Sequence, residues 1–179
     1  NGIVSLELIG KMEGFWNGST MVEDTVTVEL RAPLTPYNLV DSYKVKLDNK
    51  GYGIANFLNA SSGIYYYIVV KHRNSIETWS KTTQQFNYGF PLKYDFTTSK
   101  TKAYGDNMKF KGGDYCFYSG DTNQDGIVDV SDVSKVENDT EGFIWIYTSA
   151  DLDGDQSVDA SDIAIVENNA TIQASLIRP

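Results

Sequence analysis

Apolar and polar residues alternate through much of the first two thirds of the chain. Within residues 25–31, the apolar residues Val26, Val28 and Leu30 are each separated by one polar residue. Residues 43–48 repeat this spacing. Because successive side chains of a strand point to opposite faces, a period of two predicts a strand with one buried and one solvated face. The pattern favours antiparallel sheet, whose outer face commonly meets water.

Other segments of this kind are separated by turn-forming residues, for example at 48–51 and 111–114. The further strand candidates are residues 3–9, 52–58, 64–71, 76–79, 92–96 and 108–118. Short strands at this spacing are typical of a β-sandwich of the immunoglobulin-like or prealbumin-like type. We therefore expect a mainly β fold, with an antiparallel β-sandwich over residues 1–119.

Two acidic loops of twelve residues follow, at 121–132 and 151–162. Each has an oxygen-bearing side chain at its first, third, fifth, ninth and twelfth places, and the main-chain carbonyl at the seventh place completes the set. Such a loop supplies the roughly six to eight oxygen ligands that Ca²⁺ takes. The predicted ligands are Asp121, Asn123, Asp125, Ile127, Asp129 and Asp132 in the first loop, and Asp151, Asp153, Asp155, Ser157, Asp159 and Asp162 in the second.

An acidic surface turn is the alternative interpretation of these loops. Chance rarely places oxygen side chains at all five places of two loops in register, so we expect two calcium ions as cofactors. The sixth place carries Gly126 in the first loop, which takes a positive φ without steric cost, but Gln156 in the second. The second loop is therefore predicted to be strained at Gln156 or to bind calcium more weakly. Its five carboxylates, against four in the first loop, would instead favour tighter calcium binding.

Apolar residues one and four positions after Asp132 and Asp162 predict short helices over residues 132–138 and 162–168. A loop that ends in Asp and continues into such a helix resembles the duplicated loop-helix of type I dockerins. The resemblance covers residues 120–179 and implies a small α-helical pair of calcium loop-helix motifs that docks on a cohesin-like receptor. The implied partner-binding residues are Val130, Ser131, Ala160 and Ser161, on two near-duplicate faces that allow two docking orientations.

Charge divides the chain into two parts. Residues 121–167 hold thirteen acidic residues and one base, Lys135, for a net charge of −12, whereas the rest carries +3 and the whole chain −9. Nucleic acid is excluded as a partner because phosphate binding needs a clustered basic face. No Pro/Ser-rich linker separates residues 1–119 from 120–179, so the two predicted domains should pack together.

The expected location is extracellular, secreted or at a cell surface. Cys116 is the single cysteine, so no disulfide forms within the chain, but calcium loops of this kind need more free calcium than cytosol offers. The chain starts at Asn1 without an initiator Met or signal peptide, as a mature or excised segment would, and lacks an apolar run that could insert into a membrane. Possible glycosylation triplets begin at Asn17, Asn59, Asn138 and Asn169.

Other candidate chemistry is limited. His72 is the single histidine, with no nucleophile motif around it, so a structural or surface role at a strand end is favoured and the chain is predicted not to be an enzyme. Trp16, Trp79 and the tyrosines at 65–67 form either sandwich core or a sugar-stacking platform. Residues 143–147, between the two loops, are predicted to be an apolar plug.

These features predict a non-catalytic, extracellular, calcium-stabilised protein–protein assembly module that binds a cohesin-like receptor. One alternative is a structural subunit that binds copies of itself in a fibre or surface layer. Residues 3–9 could serve that alternative by leaving their own sheet to complete a neighbour's edge, or could form an ordinary first strand. The second alternative is a carbohydrate-binding module.

Overall fold

The computed structural model of the protein describes residues 2–142 and 147–179. Their regular elements are ten β-strands followed by two α-helices, so the fold is mainly β. The strands are β1 (Val4–Ile9), β2 (Asp24–Arg31), β3 (Leu39–Leu47), β4 (Tyr52–Phe57), β5 (Ile64–His72), β6 (Ser75–Trp79), β7 (Gln84–Phe86), β8 (Leu92–Asp95), β9 (Lys109–Lys111) and β10 (Asp114–Cys116). The helices are α1 (Val130–Glu141) and α2 (Ala160–Thr171).

The strands form two main sheets and a small hairpin. The larger sheet has the order β3-β2-β5-β6, with β7 also paired to β5, and its pairs are antiparallel. In the smaller sheet, β1 lies between β4, to which it is antiparallel, and β8, to which it is parallel. Strands β9 and β10 pair only as a hairpin. Since β1 is paired along both sides, residues 3–9 form an ordinary inner strand of their own sheet.

The alternation in the sequence correctly identified the buried face of β2, whereas Tyr43 of the second alternating segment is 39 % exposed. Val26, Val28 and Leu30 of β2 are fully buried and belong to one hydrophobic cluster with residues of the smaller sheet, such as Leu6 and Phe57. The two sheets therefore share a core, as in a sandwich. Burial of these side chains is the main favourable contribution to the stability of this part of the chain.

Two tryptophans that could have stacked on sugar are part of the interior. Trp16 is 5 % exposed and Trp79 is 1 % exposed, and Trp79 packs edge-on against Tyr37 and Tyr67. The interpretation as sandwich core is correct for Trp16, which belongs to the cluster between the sheets, whereas Trp79 is buried outside that cluster. With so little exposed surface, neither ring supports a sugar-stacking platform.

Three details of the predicted elements were wrong. Residues 108–118 do not form one strand, because the chain reverses at Gly112 and Gly113, both of which have a positive φ, and makes the β9–β10 hairpin. Strand β7 was missed because three residues are too few to show a period. Both helices begin two residues earlier and end three residues later than predicted, since residues 139–141 and 169–171 contain no helix breaker.

The helices and the acidic loops enclose a second hydrophobic cluster. It contains Val128, Val136, Leu152 and Val166, together with Ile76 of β6. Because β6 belongs to the larger sheet, the predicted packing of the acidic segment against the sandwich is present. The boundary near residue 119 stays a prediction. Within the described residues, no helix is both long and apolar enough to cross a bilayer.

The predicted apolar plug falls largely on residues 143–146, which lie outside the described residues. Its last residue, Tyr147, is described: its hydroxyl donates a hydrogen bond to Asp24 Oδ1 at the start of β2. The guanidinium of Arg73 lies 3.8 Å from the centre of the same ring. Tyr147, which precedes the second loop, therefore contacts the sandwich through a hydrogen bond and a cation–π contact.

Candidate metal centre

Each acidic loop is closed by the carboxylate at its twelfth place. Asp132 is fully buried, and its Oδ1 accepts hydrogen bonds from the main-chain amides of Thr122, at 2.8 Å, and Asn123, at 3.3 Å. Its Oδ2 accepts from the amide of Asp129 at 3.0 Å. Asp162 is equally buried and accepts from the amides at the corresponding places of the second loop. The twelfth-place carboxylate of each loop therefore holds the second and third residues of the loop close to the ninth.

The ninth-place residues are also the N-caps of the helices. Asp129 Oδ1 accepts from the amide of Ser131 at 2.8 Å, and Asp159 Oδ1 accepts from that of Ser161 at the same distance. With the twelfth-place carboxylate bonded back to the N-cap amide, each helix start is a capping box. The same carboxylates that are predicted to bind the cation therefore also fix where each helix begins.

The third and fifth places turn the loops sharply. Asn123 Oδ1 accepts from the amide of Asp125 at 2.9 Å, and Asp153 Oδ1 accepts from that of Asp155 at 3.2 Å. In the second loop, Asp151, Asp153 and Asp155 each offer a carboxylate oxygen within 4.8 Å of the others. Three such oxygens at this separation repel one another unless a cation lies among them.

The first-place carboxylates provide the test of whether a cation fits. Asp121 is 2 % exposed and Asp151 is fully buried, and each has one oxygen bonded to a loop amide. The other oxygen of each, Asp121 Oδ1 and Asp151 Oδ2, is buried without a hydrogen-bond donor. A buried, unpartnered carboxylate oxygen is costly, and a bound Ca²⁺ would remove that cost. The residues therefore fit a calcium ion in both loops.

Arg73 is the cation nearest to the second loop. Its Nη2 lies 3.8 Å from Asp151 Oδ2, too far for a hydrogen bond, and this nitrogen is itself buried without a partner. The same guanidinium donates through Nη1 to the main-chain carbonyl oxygen of Asp151 at 3.1 Å. Arg73 thus offsets part of the negative charge of the loop but donates no hydrogen bond to Asp151 Oδ2.

Burial raises the pKa of three loop carboxylates, those of Asp121, Asp151 and Asp162. Desolvation is the largest cause at Asp121, followed by the charge of Asp132, and the pKa reaches about 6. Desolvation also raises the pKa of Asp162 to about 6, although hydrogen bonds from loop amides act in the opposite direction. All three carboxylates therefore lie in surroundings that disfavour the charged form, and a bound divalent cation would reverse that effect.

The two loops place a strained residue at different positions. Both the fourth and the sixth places have a positive φ: Gln124 has 60° and Gly126 has 90°, whereas Gly154 has 79° and Gln156 has 73°. Each loop therefore has one glycine and one glutamine in the left-handed region, in exchanged order. Strain at Gln156 was predicted, but the matching strain at Gln124 was missed.

The turn between β5 and β6 supports both loops. The side-chain amide of Asn74 donates to the carbonyl oxygen of Asp151 at 2.8 Å, and the carbonyl of Asn74 accepts from the amide of Gly120 at 2.7 Å. Asn74 is fully buried. Sequence reasoning missed it because residues 73–74 look like an ordinary turn, and nothing local marks its partner 77 residues away.

The predicted partner-binding residues all reach the surface. Val130 is 74 % exposed, and Ser131, Ala160 and Ser161 are exposed as well. Their surroundings differ, however. Val130 borders a groove of about 530 Å³ between the two helices, whereas Ser161 borders one of about 480 Å³ that is partly lined by Trp16 of the sandwich. The two faces are therefore not duplicates in their wider environment.

One of the four predicted glycosylation sites is wrong. Asn17, Asn59 and Asn138 are exposed. Asn169 is fully buried in α2, where its amide nitrogen donates to Glu13 Oε2 and to the carbonyl oxygen of Ser119 at 2.7 Å. A glycan on that nitrogen is incompatible with the fold, because it would replace both hydrogen bonds and needs space that the interior lacks.

His72 lies at the end of β5 and is buried, so of the two predicted roles, structural or surface, the structural one is correct. It is 4 % exposed, with Nε2 lying 3.0 Å from Asp24 Oδ2 and Nδ1 lying 3.2 Å from the Ser75 hydroxyl. Burial lowers the pKa of His72. Burial alone would raise the pKa of Asp24, but hydrogen bonds from His72 and Tyr147 lower it to about 2.

Comparison with known proteins gives few relatives. No protein-family model matches the chain, and no curated protein matches it. A chain in the crystal structure of an N-terminal interface mutant of a type II cohesin-X-dockerin complex from Acetivibrio cellulolyticus is similar to this one. The TM-score is 0.49 and the identity 14 %, and the match covers 94 % of this chain and 95 % of that chain.

Proposed function

We propose that this protein is a non-catalytic, calcium-stabilised module for protein–protein assembly outside the cell. The observation that carries the proposal is a pair of buried carboxylate oxygens without hydrogen-bond donors, Asp121 Oδ1 and Asp151 Oδ2. Each belongs to the first residue of its loop. Each belongs to a loop whose oxygen-bearing residues have the sequence spacing of a calcium-binding loop. Calcium loops of extracellular modules bind with Kd values of roughly 10⁻⁴ to 10⁻³ M, which only the free calcium outside the cell can fill, and this favours an extracellular location.

The docking part of the proposal rests on what each loop presents next to its ligands. Directly after the ninth-place Asp, each helix begins with an exposed small or apolar residue and an exposed serine: Val130 and Ser131, then Ala160 and Ser161. These positions match the receptor-facing positions of the dockerin-like motif. Calcium would fix the loops and thereby the positions of these side chains, so metal binding and docking should depend on each other.

Calcium binding is tested first by isothermal titration calorimetry of the metal-free protein. We expect two ions per chain, with Asp125→Ala and Asp155→Ala each reducing the stoichiometry to one. Glu137→Ala is the matched control, since it removes an exposed carboxylate from α1 without touching either loop. A wild-type protein that takes up no calcium at millimolar concentration would rule out the proposal.

Thermal unfolding supplies a second test with a calculable size. Each site occupied at about one hundred times its Kd adds about 2.7 kcal/mol to the free energy of unfolding. Excess chelator should therefore lower the melting temperature of the wild type, and the two loop variants should show half of the effect. Docking is then tested with a panel of purified type I and type II cohesin domains, in calcium and in chelator.

A further inference from the structure

The end of the chain forms a short β-bridge with the first acidic loop. The amide of Val128 donates to the carbonyl oxygen of Ala174 at 2.8 Å, and the amide of Leu176 donates to the carbonyl oxygen of Gly126 at 2.7 Å. Ile127 and Ser175 lie opposite each other between these two bonds in an antiparallel bridge. We call residues 174–176 the C-terminal strap.

The pattern of this bridge fixes where the carbonyl group of Ile127 points. In an antiparallel pair flanked by bonds on both sides, the facing residues make no bond to each other, and their own N–H and C=O groups point away from the partner strand. The amide of Ile127 indeed donates to Asp125 Oδ1, at 3.0 Å, on the side of the loop ligands. The carbonyl of the same extended residue points to that side too.

We propose that the C-terminal strap is a positioning element of the first calcium site. By holding the peptide groups on both sides of Ile127, it aims the seventh-place carbonyl at the ion. This inference rests on the proposed calcium function. Ser157 occupies the same place in the second loop, and among residues 2–142 and 147–179 no comparable pair of main-chain bonds flanks it. The strap therefore distinguishes the two sites.

The strap is itself held by hydrogen bonds to two other parts of the fold. The amide of Ala174 donates to the carbonyl oxygen of Asn169 in α2 at 3.0 Å. On the sandwich side, Asn107 Nδ2 donates to the carbonyl oxygen of Ser175 at 2.8 Å. Because these anchors belong to different parts of the chain, the strap connects the first loop to the second helix and to the sandwich at once.

The test isolates one hydrogen bond at one site. In an Asp155→Ala background only the first loop can bind, and Leu176→Pro removes the strap amide that donates to Gly126. Leu176→Ala is the matched control, since it removes the side chain but keeps the amide. Calcium titration calorimetry should show affinity about five- to tenfold weaker for the proline variant than for the alanine variant. In an Asp125→Ala background, which leaves the second loop, the two variants should agree within about twofold.

Equal affinities of the two variants in the Asp155→Ala background would overturn the strap proposal, and so would an equal loss at both sites. A wild-type chain that binds no calcium would instead overturn the proposed function. If Leu176→Pro does not fold by circular dichroism, NMR of the wild type decides. Calcium should slow amide exchange at Leu176 and shift the carbonyl ¹³C resonance of Ile127; an unchanged Leu176 exchange rate would reject the strap.

Discussion

The side-chain amide of Asn74 lies 2.8 Å from the carbonyl oxygen of Asp151 and joins the sandwich to the first residue of the second acidic loop. The main-chain carbonyl of Asn74 accepts from the amide of Gly120, directly before the first loop. One turn of the sandwich therefore fixes the starts of both loops. A shift at the start of either loop would therefore break a buried hydrogen bond to this turn.

We expect Asn74→Ala to lower the free energy of unfolding by about 1–2 kcal/mol, because it removes a buried donor from a carbonyl that keeps only the bond from Arg73. The loss is limited, since Asn74 Oδ1 is already without a partner. Asn74→Asp should cost more, because it places a carboxylate against the Asp151 carbonyl. Urea unfolding in calcium measures both, and Asn138→Ala, at an exposed asparagine, is the control. A wild-type midpoint for Asn74→Asp would contradict the proposed role of this turn.

Replacing Gln156 by glycine should stabilise the protein. Gln156 has φ of 73°, a region that costs a non-glycine residue about 1–2 kcal/mol, while glycine adds about 0.5–1 kcal/mol of unfolded-state entropy. The net gain should be about 0.5–1 kcal/mol in calcium.

Gln124→Gly is the informative comparison for this substitution. Gln124 has a similar φ of 60°, but its side-chain amide donates to the carbonyl oxygen of Asp121 at 2.6 Å. Loss of that bond should cancel the relief of strain, so this variant should show little or no gain. Thermal unfolding of both variants checks the pair, and equal gains would show that the bond of Gln124 contributes nothing.

The contribution of His72 to stability should fall as the pH drops below about 6.5. Burial lowers the pKa of His72 in the folded state, so at a pH between that lowered value and 6.5 the unfolded chain takes up a proton that the folded chain does not. This uptake costs at most about 1.4 kcal/mol per pH unit. Asp24 acts later: its folded pKa of about 2 lies below its ordinary 3.8, so its contribution is present above 3.8 and is lost as the pH falls through 2.

The groups facing His72 are Asp24, Ser75, the side chain of Asn74, the neighbouring guanidinium of Arg73 and the ring of Phe15. His72→Gln keeps a polar side chain but cannot titrate. Urea unfolding between pH 7 and 5.5, at constant calcium, should therefore show a smaller slope for this variant than for the wild type. Parallel slopes would assign the pH dependence to other groups.

The alternation and the loop spacing predicted features that residues close together in the sequence determine. Alternation identified β2 because its inner side chains are buried against the smaller sheet, and the loop spacing pointed to Asp151, Asp153 and Asp155, whose carboxylates lie within 4.8 Å of one another. What these patterns missed depends on distant partners. Neither the support from Asn74 nor the strap at Leu176 has a periodic signal, because each acts through a bond to a residue far away in sequence. Asn169 shows the opposite error, since a surface motif in the sequence lies on a buried helical face.

The last prediction concerns assembly, where docking on a receptor and self-association differ in the particle they produce. The described structure gives no support to strand exchange through residues 3–9, because β1 is paired on both sides and contributes fully buried residues such as Leu6 to the core. Deleting these residues should therefore unfold the sandwich rather than shorten a fibre. Loss of sheet signal by circular dichroism would show this, and a folded deletion variant would contradict it.

Charge is the remaining basis for self-association. The part outside residues 121–167 carries +3, whereas that segment carries −12 and would carry −8 with two calcium ions bound. Contacts between unlike ends would be weakened by salt. For a docking module we expect light scattering in calcium to give the monomer mass of 19.9 kDa at high protein concentration, at low salt and in about 0.5 M NaCl alike. Large particles from this chain alone, dissolved by salt or chelator, would favour the fibre or surface-layer subunit over docking on a receptor.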